Sequence, residues 1–151
     1  DAEQTLRQIL LKLPKNFVVK KQLAFTLVFQ GKLDDALNIV KPLAKIHDLD
    51  PSLHNILISI YLQQNKLVEA GQSLDFLARL HPRSAYLVIF APVFHYKNKK
   101  NQQAYKSLVH AQNSLKTDLN RLLQDPLISP FKKDFNQIAK IAKTPPLKNN
   151  E

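Results

Sequence analysis

Leucine, isoleucine, valine and alanine recur along the chain at spacings of three and four residues, with polar residues between them. This period places the apolar side chains on one face of an α-helix. Only two of the 151 residues are glycine, so few positions interrupt the pattern. The sequence therefore predicts an all-α fold.

The helical pattern itself repeats with a period of 34 residues. Ala36, Ala70 and Ala104 are separated by this distance, and Ala2 lies one further period upstream. A period of this length is typical of stacked pairs of helices. Single helices of about 13 residues are marginal in water, so we expect stability to come from the stacking of neighbouring pairs.

The period divides the chain into parts with different predicted roles. Gly31, Asn65 and the stretch 98–101 lie where the first helix of a pair must turn into the second, and glycine and asparagine tolerate the left-handed backbone of such turns. The predicted parts are a half-repeat at 1–16, repeats at 17–50, 51–84 and 85–118, terminal capping helices at 119–143 and a disordered tail at 144–151.

The second repeat carries the clearest match to a known pattern. Its family positions are occupied by Leu57, Tyr61, Ala70, Leu74, Leu77, Ala78 and Pro82. In these residues the chain resembles the tetratricopeptide repeat family, over residues 2 to about 118. The resemblance implies a right-handed α-solenoid whose concave face is lined by the first helix of each pair and binds another protein. The tryptophan of the family pattern is absent from this chain.

The resemblance also implies which side chains line the concave face. A peptide or helix of a partner protein would lie along it, anchored by aromatic residues. The alternative is that these aromatics pack between helices or under the terminal ones. The implied positions are Val18, Lys21, Phe25, Val28 and Phe29 in the first repeat, Ser52, Asn55, Ser59, Leu62 and Gln63 in the second, and Tyr86, Ile89, Val93, Tyr96 and Lys97 in the third.

The chain is strongly basic, with 22 Lys and Arg against 12 Asp and Glu and a net charge of +10. Lys32, Lys66 and Lys100 occupy one repeat position, with Lys97 and Lys99 beside the last. We call these five lysines the basic edge. They are either a solvated edge or a binding surface for nucleic acid, an anionic surface or an acidic partner.

Candidate chemistry is sparse. No cysteine is present, the five histidines lack metal-ligand spacing, and there is no glycine-rich phosphate loop. We therefore expect no catalysis, no metal and no cofactor. A further alternative is that the chain is a docking or regulatory segment of an enzyme, because residues 1–13 fit the second helix of a repeat whose first helix would precede them.

No apolar run approaches the roughly 20 residues needed to span a bilayer. We expect a soluble protein, and the sequence leaves cytoplasm and periplasm equally open.

The most apolar stretch, SAYLVIFAPVFHYKNKKN at residues 84–101, contains a proline. Pro92 removes one helical hydrogen bond, so we expect the helix to kink near Ile89 or to begin anew. In the terminal part, Asp118 is predicted to cap a short helix, and Ser129 and Pro130 to begin another with an apolar stripe. That stripe comprises Phe131, Phe135, Ile138 and Ile141.

Overall fold

The computed structural model describes residues 1–141, and it confirms the all-α prediction over that range, which contains helices and no β-strand. The predicted tail at 144–151 and the end of the predicted cap lie outside the described residues. The helices are α1 Ala2–Lys12, α2 Phe17–Phe29, α3 Leu33–Ile46, α4 Pro51–Gln63, α5 Leu67–Leu80, α6 Ala85–Lys97, α7 Asn101–Leu115, α8 Thr117–Gln124 and α9 Lys132–Ile141, with a 3₁₀ turn at Ser129–Phe131.

Three consecutive helix pairs share one spacing, and their first helices are each 13 residues long. The helices α2, α4 and α6 begin at Phe17, Pro51 and Ala85, and each of these starts lies 34 positions after the previous one. Their partners α3, α5 and α7 follow after the same short turn. The periodicity of the sequence is thus a periodicity of helix pairs in space.

The turn inside each pair uses one backbone motif. Gly31, Asn65 and Lys99 stand at the same repeat position and have φ angles of 75°, 54° and 60°. After the first of them, Lys32 N donates to Leu27 O over 2.9 Å, and the equivalent bonds of the other two turns have the same length. This left-handed residue followed by a long-range amide bond is the Schellman ending of a helix. In the third repeat a lysine, and not an asparagine, takes the left-handed position.

The two helices of each pair meet at an alanine. Ala36, Ala70 and Ala104 are all fully buried, each at the start of the second helix of a pair. A larger side chain would force the helices apart, at a cost of about 1–3 kcal/mol. This contact explains why the repeat is visible in the sequence as a spacing of alanines.

Stacking places the first helices of the pairs side by side. Besides its own partner, α4 contacts α2, α3 and α6, and α6 contacts α9. Every residue from 53 to 62 in α4 is buried, because neighbours surround this helix. We call the surface formed by α2, α4 and α6 at the fifteen positions named above the A-helix face.

Pro92 does not interrupt its helix. The helix α6 runs continuously from Ala85 to Lys97, so the alternative that the helix begins anew at Pro92 is wrong. Pro92 itself is buried. The helix α3 likewise continues through Pro42, which is exposed to solvent.

The terminal part differs from its prediction in one detail. Asp118 lies in the first turn of α8 instead of capping it, because α8 begins one residue earlier, at Thr117. Ser129 and Pro130 begin a 3₁₀ turn that leads into α9. Phe131, Phe135 and Ile138 of the predicted stripe are buried, and Ile141 is half-buried.

We predict that Gly31→Ala lowers the free energy of unfolding by about 1 kcal/mol, because alanine disfavours a positive φ. A Cβ atom at this position would meet no atom within 4 Å, so the loss comes from the backbone alone. Urea unfolding measures the loss. Gly31→Asn is the matched control and should lose less, since Asn65 already adopts this conformation in the second repeat; equal losses would contradict the interpretation.

The A-helix face and the segment that covers it

The chain covers part of its own A-helix face. The connection between α8 and α9, residues 125–131, lies against α4 and α6, and we call it the covering segment. Ser59 Oγ in α4 donates a 2.7 Å hydrogen bond to Leu127 O, across 68 positions of sequence. The Tyr86 hydroxyl at the start of α6 donates to the Asp125 carboxylate. The two bonds attach the segment to two successive repeats.

Asp125 holds the covering segment in its bent shape. One carboxylate oxygen accepts from Tyr86, and the other accepts from Leu127 N at 2.9 Å. Its backbone carbonyl also accepts from Ile128 N and Ser129 N at 2.9 and 2.8 Å. Burial, the hydrogen bond to Asp125 and the nearby negative charge raise the pKa of Tyr86 well above its usual value, so the phenol stays a proton donor.

Apolar side chains anchor the covering segment. Leu127, Ile128 and Phe131 are all buried. The ring of Phe131 meets that of Phe90 edge to face, with 6.3 Å between ring centroids. This arrangement is the favourable one for two aromatic rings.

A lysine of α6 links the covering segment to the helix that follows. Lys97 Nζ lies 4.0 Å from Asp134 Oδ1 in α9 and 5.9 Å from the centre of the Phe131 ring. The same ammonium group lies 3.4 Å from Asn65 Oδ1 in the preceding turn. Lys97 of the third repeat therefore contacts both the covering segment and α9.

Half of the predicted positions on α4 and α6 are buried. Leu62, Ile89 and Val93 are fully buried within the core, and Ser59 lies beneath the covering segment. Tyr96 is half-buried against the core, and Ser52 and Gln63 keep partial exposure. In this conformation the central and third repeats offer a partner little of the predicted surface.

The first repeat keeps its part of the face open. Val18 and Phe29 of α2 are 66% and 70% exposed, and Phe25 between them is half-buried. Their equivalents in the third repeat are Tyr86, which bonds to the covering segment, and Lys97, which reaches the segment and α9. The predicted position Val28 is buried. The open remainder of the A-helix face is therefore an apolar stripe on α2.

Lys21, also predicted on this face, is engaged within the fold. Its Nζ lies 2.9 Å from Asp50 Oδ2, and Asp50 Oδ1 accepts from the amide and the hydroxyl of Ser52. Burial raises the pKa of Asp50, but the hydrogen bonds from Ser52 and Lys21 outweigh it, and the net pKa is lowered. This carboxylate caps α4 and ties it to α2.

The basic edge is partly neutralised. Lys32 Nζ lies 2.6 Å from Glu3 Oε2, and Lys97 is engaged as described above. Lys66, Lys99 and Lys100 are exposed, and no carboxylate within residues 1–141 pairs with them. The first turn of α7 beside Lys100 contains no acidic residue, so positive potential is concentrated there.

His47 and His54 take part in packing. His47 lies against Phe17 with ring centroids 4.1 Å apart, and His54 lies 4.6 Å from Phe76. Within the described part of the chain, no three His, Asp or Glu side chains are grouped so that they could hold a metal ion. Nor is any helix of that part long and apolar enough to cross a bilayer.

Sequence reasoning missed the covering segment. Leu127 and Ile128 stand between Pro126 and Pro130, outside any helical period, so periodicity assigned them to a simple connection. The signal available was the short apolar run itself, since a surface connection between two helices has little reason to be apolar.

We predict that Phe131→Ala lowers the free energy of unfolding by about 3–5 kcal/mol, because it removes a buried ring that anchors the covering segment. Chemical denaturation provides the measurement. Phe29→Ala is the matched control, since the same side chain is removed from an exposed position and should cost no more than about 0.5 kcal/mol. Similar losses for the two variants would mean that the covering segment is not part of the folded core.

We predict that Asp50→Asn destabilises the protein at neutral pH and has little effect in acid. A carboxylate with a lowered pKa stabilises the fold above its ordinary pKa of about 3.9, and the contribution is lost as the pH falls through the folded-state value. Urea midpoints of both proteins across the acid range test this. Asp118→Asn is the control, since that exposed carboxylate bonds only within its own helix; a difference between wild type and Asp50→Asn that does not shrink in acid would refute the role of Asp50.

Comparison with family models, curated proteins and solved structures gave no match to this chain. The resemblance to the tetratricopeptide repeat family rests on the spacing and identity of the repeat residues, and it stays a prediction.

Proposed function

We propose that the chain is a noncatalytic protein-binding module, built as a right-handed solenoid of tetratricopeptide-like helix pairs. Its partner presents an apolar segment with acidic residues beside it. That segment lies on the open part of the A-helix face, along α2.

The single observation that carries the proposal is the exposure of apolar residues on α2 at positions whose equivalents on α6 are covered. Val18 and Phe29 are mostly exposed at positions whose third-repeat equivalents contact the covering segment or α9. Apolar side chains are normally removed from water where a partner exists to cover them. The apolar stripe on α2 is therefore the candidate surface for binding a partner.

The covering segment indicates which kind of partner segment would bind to the stripe on α2. The A-helix face already holds a stretch of chain with apolar anchors at Leu127, Ile128 and Phe131, and with Asp125 and Asp134 on either side. The A-helix face contacts this stretch through hydroxyl and ammonium donors and through apolar side chains. An occupant of the neighbouring repeat would meet the same kind of surface.

The charge around α2 favours an acidic partner. The stretch from residue 4 to residue 33 contains no Asp or Glu. Lys21 and Lys32 are paired with acids from outside that stretch, whereas Lys15 and Lys20 form no ion pair with any carboxylate in residues 1–141. Opposite charges on a partner would steer its approach and would be sensitive to salt. The cations in this stretch are Arg7, Lys12, Lys15, Lys20, Lys21 and Lys32.

We predict that a displayed library of random peptides, selected on the folded protein, yields apolar sequences flanked by Asp or Glu. Phe29→Ala should weaken their binding about tenfold or more, as expected for loss of a central aromatic anchor. Titration calorimetry or fluorescence anisotropy gives the affinities.

The control is Val68→Ala, because Val68 is 72% exposed on α5, outside the A-helix face. It should leave the affinity unchanged. Selected peptides that bind Phe29→Ala as tightly as wild type, or a selection that yields no acidic apolar sequences, would overturn the proposal.

A further inference from the structure

The helix α1 has the sequence register of the second helix of a pair. Its Ala2 lies 34 positions before Ala36, and its other apolar residues keep the same register. Like α3 and α5, α1 contacts the first helix of the pair that follows it. Each of α3, α5 and α7 also contacts the first helix of its own pair, so α1 can be compared with them position by position.

Positions that are buried in the three helix pairs are open on α1. Ala36, Ala70 and Ala104 are fully buried, whereas the equivalent Ala2 is exposed. The position of Ile9 is buried in all three pairs, but Ile9 itself is 37% exposed. We call the side of α1 formed by four residues the open face of α1: Ala2, Thr5, Leu6 and Ile9.

The helix pairs show which element covers the equivalent face elsewhere in the molecule. In each pair that element is a first helix of 13 residues. Its start lies beside the end of its partner, since the rings of Phe17 at the start of α2 and His47 at the end of α3 are 4.1 Å apart. An antiparallel helix of similar length, about 20 Å, therefore fits the open face of α1.

The last turn of α1 carries an available positive charge. Lys12 is exposed, lies three residues after Ile9 and forms no ion pair with a carboxylate in residues 1–141. The acids of α1 are engaged, since Asp1 caps the helix and Glu3 is paired with two cations. Antiparallel packing places the first turn of an added helix near Lys12, and acidic residues are favoured in a first turn.

Within residues 1–141, the first helices are already in use, because α2 packs on α3, α4 on α5 and α6 on α7. A second copy of the chain would have the same helices engaged. We propose that the open face of α1 binds a helix of another protein, antiparallel to α1, with acidic residues in its first turn followed by an apolar stripe. This surface lies on a different helix from the stripe on α2, so the proposal is independent of the function proposed above.

The chain supplies its own probe for this surface. A synthetic peptide of residues 48–64 with blocked ends contains Asp48, Asp50 and the whole of α4, which packs on the equivalent face of α5. Fluorescence anisotropy of the labelled peptide, titrated with the folded protein, measures its binding. Because a single helix of this length is marginal in water, we expect saturable binding with a dissociation constant on the order of 0.1 mM.

Variants of α1 test the position of the peptide. Ala2→Leu should weaken binding about tenfold, because a larger side chain at a helix crossing forces the helices apart, and it should leave the melting temperature unchanged. Ile9→Lys should also weaken binding about tenfold, because it places a charge against the apolar stripe of the peptide. Leu11→Lys is the matched control, since Leu11 is 84% exposed on a different side of α1 and its replacement should not change the affinity.

The charge at Lys12 is tested with a second peptide that carries Asp48→Asn and Asp50→Asn. It should bind the wild-type protein about two- to fivefold more weakly than the first peptide, as expected for an exposed ion pair. With Lys12→Gln the difference between the two peptides should shrink, and an unchanged difference would contradict the predicted orientation of the helix.

Three results would overturn the proposal: no saturable binding, unchanged binding to Ile9→Lys, or equal losses for Ile9→Lys and Leu11→Lys. Phe29→Ala should leave the affinity of this peptide unchanged; a loss with Phe29→Ala alone would place the peptide on α2 instead. Sedimentation velocity of the free protein should show a monomer. A dimer that Ile9→Lys dissociates would assign the open face of α1 to a second copy and would also overturn the proposal.

Discussion

The burial of α4 is the condition on which the rest of the molecule depends. A helix of 13 residues gains little from its own hydrogen bonds, so its stability comes from the surfaces packed around it. Here α2, α3, α5 and α6 supply those surfaces, and the covering segment contacts the remaining side at Ser59. Each flanking helix pair has one side facing α4 and another side that needs a neighbour of its own. For the third pair that neighbour is α9, and for the first pair it is α1.

Much of the fold could be predicted from the sequence because its determinants are local and periodic. The spacing of Ala36, Ala70 and Ala104 indicates a tight helix crossing. Gly31 and Asn65 indicate a turn with a left-handed backbone. Both requirements are imposed by backbone geometry, so they recur at the same position in each repeat. Lys99 shows the limit of this reasoning, since the fold forces a lysine into a conformation that its own preference would not choose.

The candidate site was less predictable because it depends on contacts between distant parts of the chain. Periodicity identifies Ser59, Ile89 and Val93 as members of one face, but it carries no information about what lies over that face. The covering segment contacts α4 across 68 positions of sequence, and it is not part of a repeat that periodicity could detect.

The tether between α7 and the covering segment has a consequence for competition. A segment joined to its own binding surface by a short connection acts at an effective concentration of about millimolar or higher, whatever the concentration of the protein. A free peptide of similar affinity would have to exceed that level to displace Leu127 and Phe131 from α4 and α6. The connection through α8 thus keeps one end of the array covered, while the exposed apolar residues of α2 lie at the other end.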